Sequence, residues 1–427
     1  MKIKINRFFL IKFLIVLLVI NYMVITILLK DNFVFKYIRD IILLTLFIFS
    51  MYKQPLKRSE LGWVLFLILL IFTFIRSTDY ALALVSIRKY YFPILLLFIV
   101  KRYDFCVEYR YVKFLNFICY FFAFISFFGI FQAWILGDQF LKKIGYAVSY
   151  NYGYGREMLT NSFYFGGLGI QRVVATLSNS NVCGLILGST LIVLICFYPF
   201  IKLKFKKILI FIILIAYILT FSRSNFLSLF VVCIFLMYPY IPNKKILIVI
   251  SIFVLMFIFI VGIYEGTNGL IFKLWTWVVS SINMTDSSVA GRSSIWRTAY
   301  SEVLNHPLGL GFGHVGSIAI NANSDYILNC ENSYLAVALD NGIIALLIFI
   351  YDYLSLFHFF RKNTLSKELL ISDRINICGK CLIIYLLMIM FFSNHIYDME
   401  AISIVFIYIG FCISLKNYIK KDKLEVL

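Results

Sequence analysis

The sequence predicts an all-α polytopic membrane protein of about 12 transmembrane helices, with a long extracytoplasmic loop containing short helices. Three observations predict it. Of 427 residues, 62% are hydrophobic and only 14% charged, a balance that no water-soluble core could hide without exposing apolar surface on the scale that aggregates. Apolar runs near or above the roughly 18 to 20 residues that cross a bilayer recur from end to end. Lys and Arg favour alternate connections between those runs.

Twelve spans fit the hydropathy, at residues 8–29, 33–52, 61–75, 80–100, 114–136, 173–200, 208–221, 224–241, 246–264, 333–360, 377–393 and 399–415. The first run is too long for a signal-peptide core and no small-residue cleavage site follows it, so it reads as a retained helix. The run at 208–221 is barely long enough to cross and calls for little tilt or a thinned bilayer. With the N-terminus inside, the cytoplasmic segments carry 24 Lys and Arg, the outer segments 10, and six fall within spans. That bias has the sense of the positive-inside rule and expects both termini in the cytoplasm. The net charge of +19 comes from short clusters between apolar runs, without a basic face, so it marks topology and not a nucleic-acid partner.

The organisation follows from the spans. Residues 1–136 hold helices 1–5, 137–172 an outer loop, 173–264 helices 6–9, 265–332 a long outer loop, and 333–427 helices 10–12 with a cytoplasmic tail. Long connections are where function tends to sit, so chemistry is expected on the outer face. Within the longer loop, "GLIFKLWTWVVSSIN" (Gly269 to Asn283) reads as an interfacial helix that holds the loop against the membrane surface. Of nine cysteines only Cys330 falls in an outer segment, so the loop is expected to fold without a disulfide. "CGKC" (Cys378 to Cys381) has redox or metal spacing, but with no second pair and no nearby His it reads as chance.

Polar residues at the outer mouths of spans need a reason. Arg172 begins "RVVATLSNSNVCG", whose crowd of Thr, Ser and Asn is expensive in lipid unless it lines protein or water. Arg223 sits at the tip of a hairpin in "YILTFSRSNFLSL", and Arg292 follows Gly291 in the long loop. Snorkelling to headgroups accounts for any one such arginine alone. Three with hydroxyl or glycine neighbours suit a diphosphate, because a guanidinium fork pairs with two phosphate oxygens at once. Arg88, with Lys89, stands roughly 12 Å into its span at 1.5 Å per residue, where a charge costs at least about 2.5 to 3.5 kcal/mol on insertion scales. It is expected to face an aqueous or protein-lined cavity and to bind substrate. Glu331 and Asn332 reach the outer surface just before an apolar run; Glu331 reads as a helix-dipole partner, a base or an acceptor-binding carboxylate. His306 and His314 flank "PLGLGFG", which lacks the Lys-Ser/Thr of a phosphate-binding P-loop. Its glycines read as a tight backbone path, and the two histidines as hydrogen-bonding candidates for substrate.

Four segments in order, "RVVATLSNSNVCG", "LTFSRSNFLSL", "GRSSIWRTAYSEVLNHPLGLGFG" and "ENSYLAVALDNGI", resemble the O-antigen polymerase and O-antigen ligase superfamily of bacterial membrane glycosyltransferases. The resemblance covers roughly Arg172 to Ile350. It implies a dozen helices in the bacterial cytoplasmic membrane and a reaction at the outer leaflet on a glycan carried by undecaprenyl diphosphate. It also implies work beside a flippase and a chain-length regulator of the same pathway. Arginines that hold the diphosphate in that family map by motif onto Arg223 and Arg292, and also onto Arg172. Guanidinium groups can stabilise the departing diphosphate, so the reading needs no metal or other cofactor.

One departure matters. Ligases of the family typically carry histidine before "NSYL", where this chain has Glu331. The change points to a polymerase of surface polysaccharide (O-antigen, capsule or exopolysaccharide) repeat units. In this inverting transfer Glu331 would deprotonate an acceptor hydroxyl and Arg172, Arg223 and Arg292 would stabilise the leaving group. His306 or His314 could supply the base instead, and ligase-type transfer of finished polymer stays open as an alternative. A flippase is the rival from another class, but transporters often show two related halves, and the long outer loops have no counterpart in the first 136 residues.

Overall fold

The computed structural model describes residues 7–28, 33–54, 56–57, 60–146, 148–151, 156–160, 163–165, 170–237, 287–315, 330–361 and 370–422. Among them the chain is predominantly helical, and five helical segments are long and apolar enough to cross a membrane: Arg7–Val24, Tyr80–Lys101, Arg110–Ile144, Ile371–Phe392 and Met399–Ile419. Four apolar helices are shorter: Leu61–Arg76, Ser180–Cys196, Arg223–Phe235 and Ile343–Phe359. This is a multi-pass helical membrane protein, although the described residues do not reach a count of twelve spans. The expected span at 246–264 and the interfacial helix at Gly269 to Asn283 lie outside them.

In chain order the helices are α1 (Arg7–Ile20, continued as a π-helix to Leu28), α2 (Phe33–Lys53), α3 (Leu61–Arg76), α4 (Tyr80–Lys101), α5 (Arg110–Phe131), α6 (Gly137–Ile144), α7 (Ser180–Cys196), α8 (Lys206–Ile218), α9 (Arg223–Met237), α10 (Ser287–Asn305), α11 (Ser333–Asn341), α12 (Ile343–Phe359), α13 (Leu370–Phe392) and α14 (Met399–Asp422). Between α6 and α7 the chain makes two small antiparallel hairpins, Val148–Asn151 with Arg156–Leu159 and Tyr164–Phe165 with Ile170–Gln171.

The bundle is built around α4 and α14, whose apolar residues are spread around the helix and not confined to one stripe, which suits a place in the middle. Residues Phe92 to Val100 of α4 and Ala401 to Leu415 of α14 are buried without interruption. Gly410 lets the two helices meet closely, for a Cβ there would stand 3.0 Å from Val100 Cβ and 3.3 Å from the Lys101 nitrogen. Small residues at such crossings are how helices associate in lipid, where the hydrophobic effect between them is absent. At the end of α4 Glu60 joins it to α3, with Oε1 2.6 Å from Lys101 Nζ and Oε2 2.6 Å from Arg102 Nη2. Cys378 and Cys381 are buried on α13 with the thiols of Cys196 and Cys412 beside them. Among the described residues, no group of His, Cys, Asp or Glu is placed to hold a metal ion.

Two expected spans take a different course. The run at 173–200 becomes helical only at Ser180, because Ala175 has left-handed backbone (φ 53°) and Asn179 caps the helix by accepting from the Val182 amide at 2.9 Å. The run at 333–360 is two helices, α11 and α12, parted at Gly342 (φ 88°). A helix broken in a membrane must find new partners for its freed backbone groups. Here the "PLGLGFG" turn provides them: Ile343 N donates to Pro307 O (2.9 Å), Leu310 N to Leu339 O (2.7 Å) and Gly311 N to Asp340 O (3.1 Å). The two backbones touch. A Cβ on Gly309 would meet Asp340 O at 2.6 Å, and one on Gly342 would meet the Leu308 carbonyl carbon at 2.7 Å. Arg76 locks the turn from the α3–α4 corner, donating to Leu308 O (2.7 Å) and Gly309 O (2.9 Å), while Ser77 Oγ accepts from the Phe312 amide (2.9 Å). The glycine turn thus enters the bundle and does not lie over it.

Candidate functional site

Three helix N-termini meet at one end of the bundle. Asn225 on the first turn of α9 donates to Asn181 O (2.9 Å) at the head of α7 and to Ser222 Oγ (2.7 Å). Its own side-chain oxygen accepts from Tyr385 Oη (2.7 Å), whose hydroxyl lies so close over α7 that a Cβ on Gly188 would stand 2.1 Å from it. From α9 the path continues to α11: Ser224 Oγ lies 3.5 Å from Ser393 Oγ, and Ser333 Oγ donates to Ser393 O at 2.9 Å. Helix N-termini carry positive partial charge and unpaired amides, so their meeting favours an anion.

Arg172 and Arg223 stand at this junction. The Arg172 guanidinium wraps the α8–α9 turn, with Nε donating to Thr220 O (2.7 Å) and Nη2 to Asn181 Oδ1 (2.9 Å) and Phe221 O (3.2 Å). Phe221 is held in left-handed backbone (φ 46°), a conformation that non-glycine residues adopt where surrounding contacts over-determine it, commonly at functional sites. Burial, and then the like charge of Arg223, lower the Arg172 pKa from its ordinary value to about 10. Arg223 opens α9, where a cation opposes the helix dipole. A bound anion would relieve both the repulsion between the two guanidinium groups and the conflict with the dipole.

The segment leading into α11 forms the second wall. Glu331 has left-handed backbone (φ 39°) and a half-buried side chain. Asn332 is buried as the N-cap of α11, accepting from the amides of Tyr334 (2.9 Å) and Leu335 (3.1 Å) while donating to Phe391 O (2.9 Å). Its side chain is engaged in structure, and it sets where Glu331 emerges. Burial pushes the Cys330 thiol up to about 12, which makes it a poor nucleophile. Trp296 of α10 packs edge-on against Phe391 of α13 (5.4 Å), and Arg292 occupies α10 one helical turn before it; the Arg292 side chain lies outside the described residues.

The other expected contacts fall elsewhere. Arg88 is gripped by Asp40 of α2, with Nε 2.9 Å from Oδ2 and Nη2 3.0 Å from Oδ1. That pair joins a network in which Arg39 donates to Asn21 (2.8 Å) and Asn21 to Glu400 (2.7 Å). The polar surroundings anticipated for Arg88 are thus protein, contributed by α1, α2 and α14. His306, at the end of α10, is 3.6 Å from Glu302, and His314 Nε2 is 3.4 Å from Thr78 Oγ1 at the α3–α4 corner.

The turn between α13 and α14 escaped sequence reasoning. It carries Ser393, His395 and Asp398, and His395 Nδ1 is 2.7 Å from Asp398 Oδ2. The available signal was a five-residue connection, "NHIYD", with a histidine and an acid at helical spacing between two apolar runs.

Residues 208–350 match the family model described as O-Antigen ligase. That match, over about a third of the chain, supports the resemblance to the O-antigen polymerase and ligase superfamily. It includes Arg223, Arg292 and Glu331 with their segments, and begins after the Arg172 segment. The family implies a membrane glycosyltransferase or ligase acting on lipid-linked polysaccharide at the inner membrane. A search of curated proteins finds no match.

Proposed function

We propose that the protein is a polymerase of surface-polysaccharide repeat units, moving a glycan from undecaprenyl diphosphate onto an acceptor sugar hydroxyl at the outer leaflet with inversion. One observation carries this reading. Arg172 and Arg223 converge where the N-termini of α7, α9 and α11 meet, and this is an environment for a diphosphate whose charge grows as the sugar–oxygen bond breaks. The resemblance assigns a third guanidinium to Arg292, which lies on α10 one turn before Trp296. Glu331 stands on the acceptor side, where the ligases of the resemblance carry histidine, and this favours repeat-unit polymerisation over transfer of finished polymer.

The test is glycan analysis in a strain lacking the gene, complemented with wild type, Arg223→Ala, Arg292→Ala or Glu331→Gln, with undecaprenyl-linked intermediates extracted in parallel. The expected result is loss of long chains while single repeat units still reach the final acceptor. Full-length polymer stranded on undecaprenyl diphosphate would instead identify a ligase. Units trapped on the cytoplasmic leaflet would identify a flippase.

A further inference from the structure

The turn from Ser393 to Asp398 touches two of the segments that carry the resemblance. Ser393 Oγ is 3.5 Å from Ser224 Oγ beside Arg223, Ile396 N donates to Ser333 Oγ at 3.2 Å, and Asn394 Nδ2 lies 3.5 Å from Cys330 Sγ beside Glu331. Just before the turn, Phe391 carries Trp296 of α10. His395 is therefore at the meeting point of the leaving-group and acceptor walls. It is only 2% exposed.

Its hydrogen bonding is half complete. The Asp398 carboxylate, an acceptor, takes the Nδ1 hydrogen at 2.7 Å, which leaves Nε2 of the neutral ring with a lone pair. Among the described residues Nε2 has no hydrogen-bond partner. Leaving a buried acceptor unsatisfied is costly, and a ring that served only to brace the turn would gain by satisfying it. A carboxylate that orients imidazole and leaves the far nitrogen free to take a proton is the arrangement of a general base. Of the charged and titratable groups beside the pair, Lys89 on α4 interacts with Asp398, Glu400 and Asp340, the hydroxyls of Tyr90 and Tyr397 both donate to Asp340 on α11, and Cys330 before α11 lies against Asn394.

We infer that His395, oriented by Asp398, is the base that takes the proton of the acceptor hydroxyl, and that Glu331 binds the acceptor. The assignment rests on the glycosyl-transfer reading above. In the step, the acceptor O–H proton passes to Nε2 and the oxygen forms a bond to the anomeric carbon. The bond from that carbon to the diphosphate oxygen breaks, with its electron pair staying on the diphosphate. The imidazolium faces Asp398 and returns its proton to solvent once the carrier has left.

The experiment uses membranes from a deletion strain that accumulates its own undecaprenyl-linked repeat units, with the full chain supplied as wild type, H395Q, D398N, H395Q/D398N or R223A at matched protein levels. Chain elongation is followed on gels against the concentration of extracted lipid-linked units. H395Q is expected to lower the maximum rate at least about 100-fold with half-saturation unchanged, and D398N about tenfold or more. The double variant should be no slower than H395Q, because the pair acts as a unit. H395Q within threefold of wild type, or a loss confined to half-saturation, overturns the assignment. If H395Q does not accumulate, D398N decides: a wild-type maximum rate overturns the assignment, and a lowered one at unchanged half-saturation sustains it. R223A separates the two readings. An inactive R223A beside an active H395Q removes only the base, whereas an R223A as fast as wild type removes the glycosyl-transfer reading.

Discussion

Arg172 has two duties that substitution separates. Lysine keeps the charge but cannot hold Thr220 O, Asn181 Oδ1 and Phe221 O together, so Arg172→Lys should lower both activity and stability, and Arg172→Ala more so. A charged hydrogen bond contributes roughly 1.5 to 3 kcal/mol, and the loss would appear as a lowered Tm in detergent. Arg223→Ala removes a charge from the proposed leaving-group site without cutting those bonds. Its expected cost is about 10²- to 10³-fold in elongation rate with Tm close to wild type, and an equal drop in Tm would show that Arg223 is structural. Arg172 and Arg223 were legible as candidates because arginine among hydroxyl and amide side chains at a span end has few inexpensive explanations. His395 was not, because its partner Asp398 and its neighbours Ser224, Ser333 and Cys330 come together only in three dimensions.

The helices α3, α11 and α12 depend on joints that hydropathy does not reveal. Gly309→Ala and Gly342→Ala would each force a Cβ to within 2.6 to 2.7 Å of opposing backbone at positive φ. Strain of about 1 to 3 kcal/mol from the backbone and as much again from overpacking should lower Tm and membrane accumulation. Gly137→Ala, also at positive φ but with nothing within 4 Å of its Cβ, should show the backbone part alone; equal losses at all three would refute the packing account. At the other end of α3, burial favours the neutral form of Glu60, but Lys101 and Arg102 outweigh it and hold the carboxyl below its ordinary range. The stability it contributes is therefore present above the unfolded value of roughly 4.3 and lost as pH falls through the folded one. A melting series in detergent down to about pH 3 should show that loss, and Glu60→Gln should flatten it. Most helix positions were legible from apolar runs alone. The break at Gly342 was not, because the backbone that fills it comes from the segment around Gly309, in a different part of the chain.

For the whole molecule, the charge bias expects both termini in the cytoplasm and the junction of α7, α9 and α11 facing outward. Reporter fusions check it: a fluorescent protein joined after Leu427 should light up, and alkaline phosphatase inserted after Ser324 should be active. The reverse pattern would put the arginine junction on the wrong side for an exported lipid-linked glycan. The resemblance to the superfamily was legible because its signals are short polar words in an apolar text, whereas the Asp40 grip on Arg88 joins helices distant in sequence. The glycine turn has a further consequence for motion. Its amides at Leu310 and Gly311 are bonded into the broken helix, and Ile343 N bonds back to Pro307 O. Deuterium should therefore enter this segment as slowly as it enters the bundle. A stretch written as loop would exchange like core, and any opening that admits a substrate must hinge elsewhere.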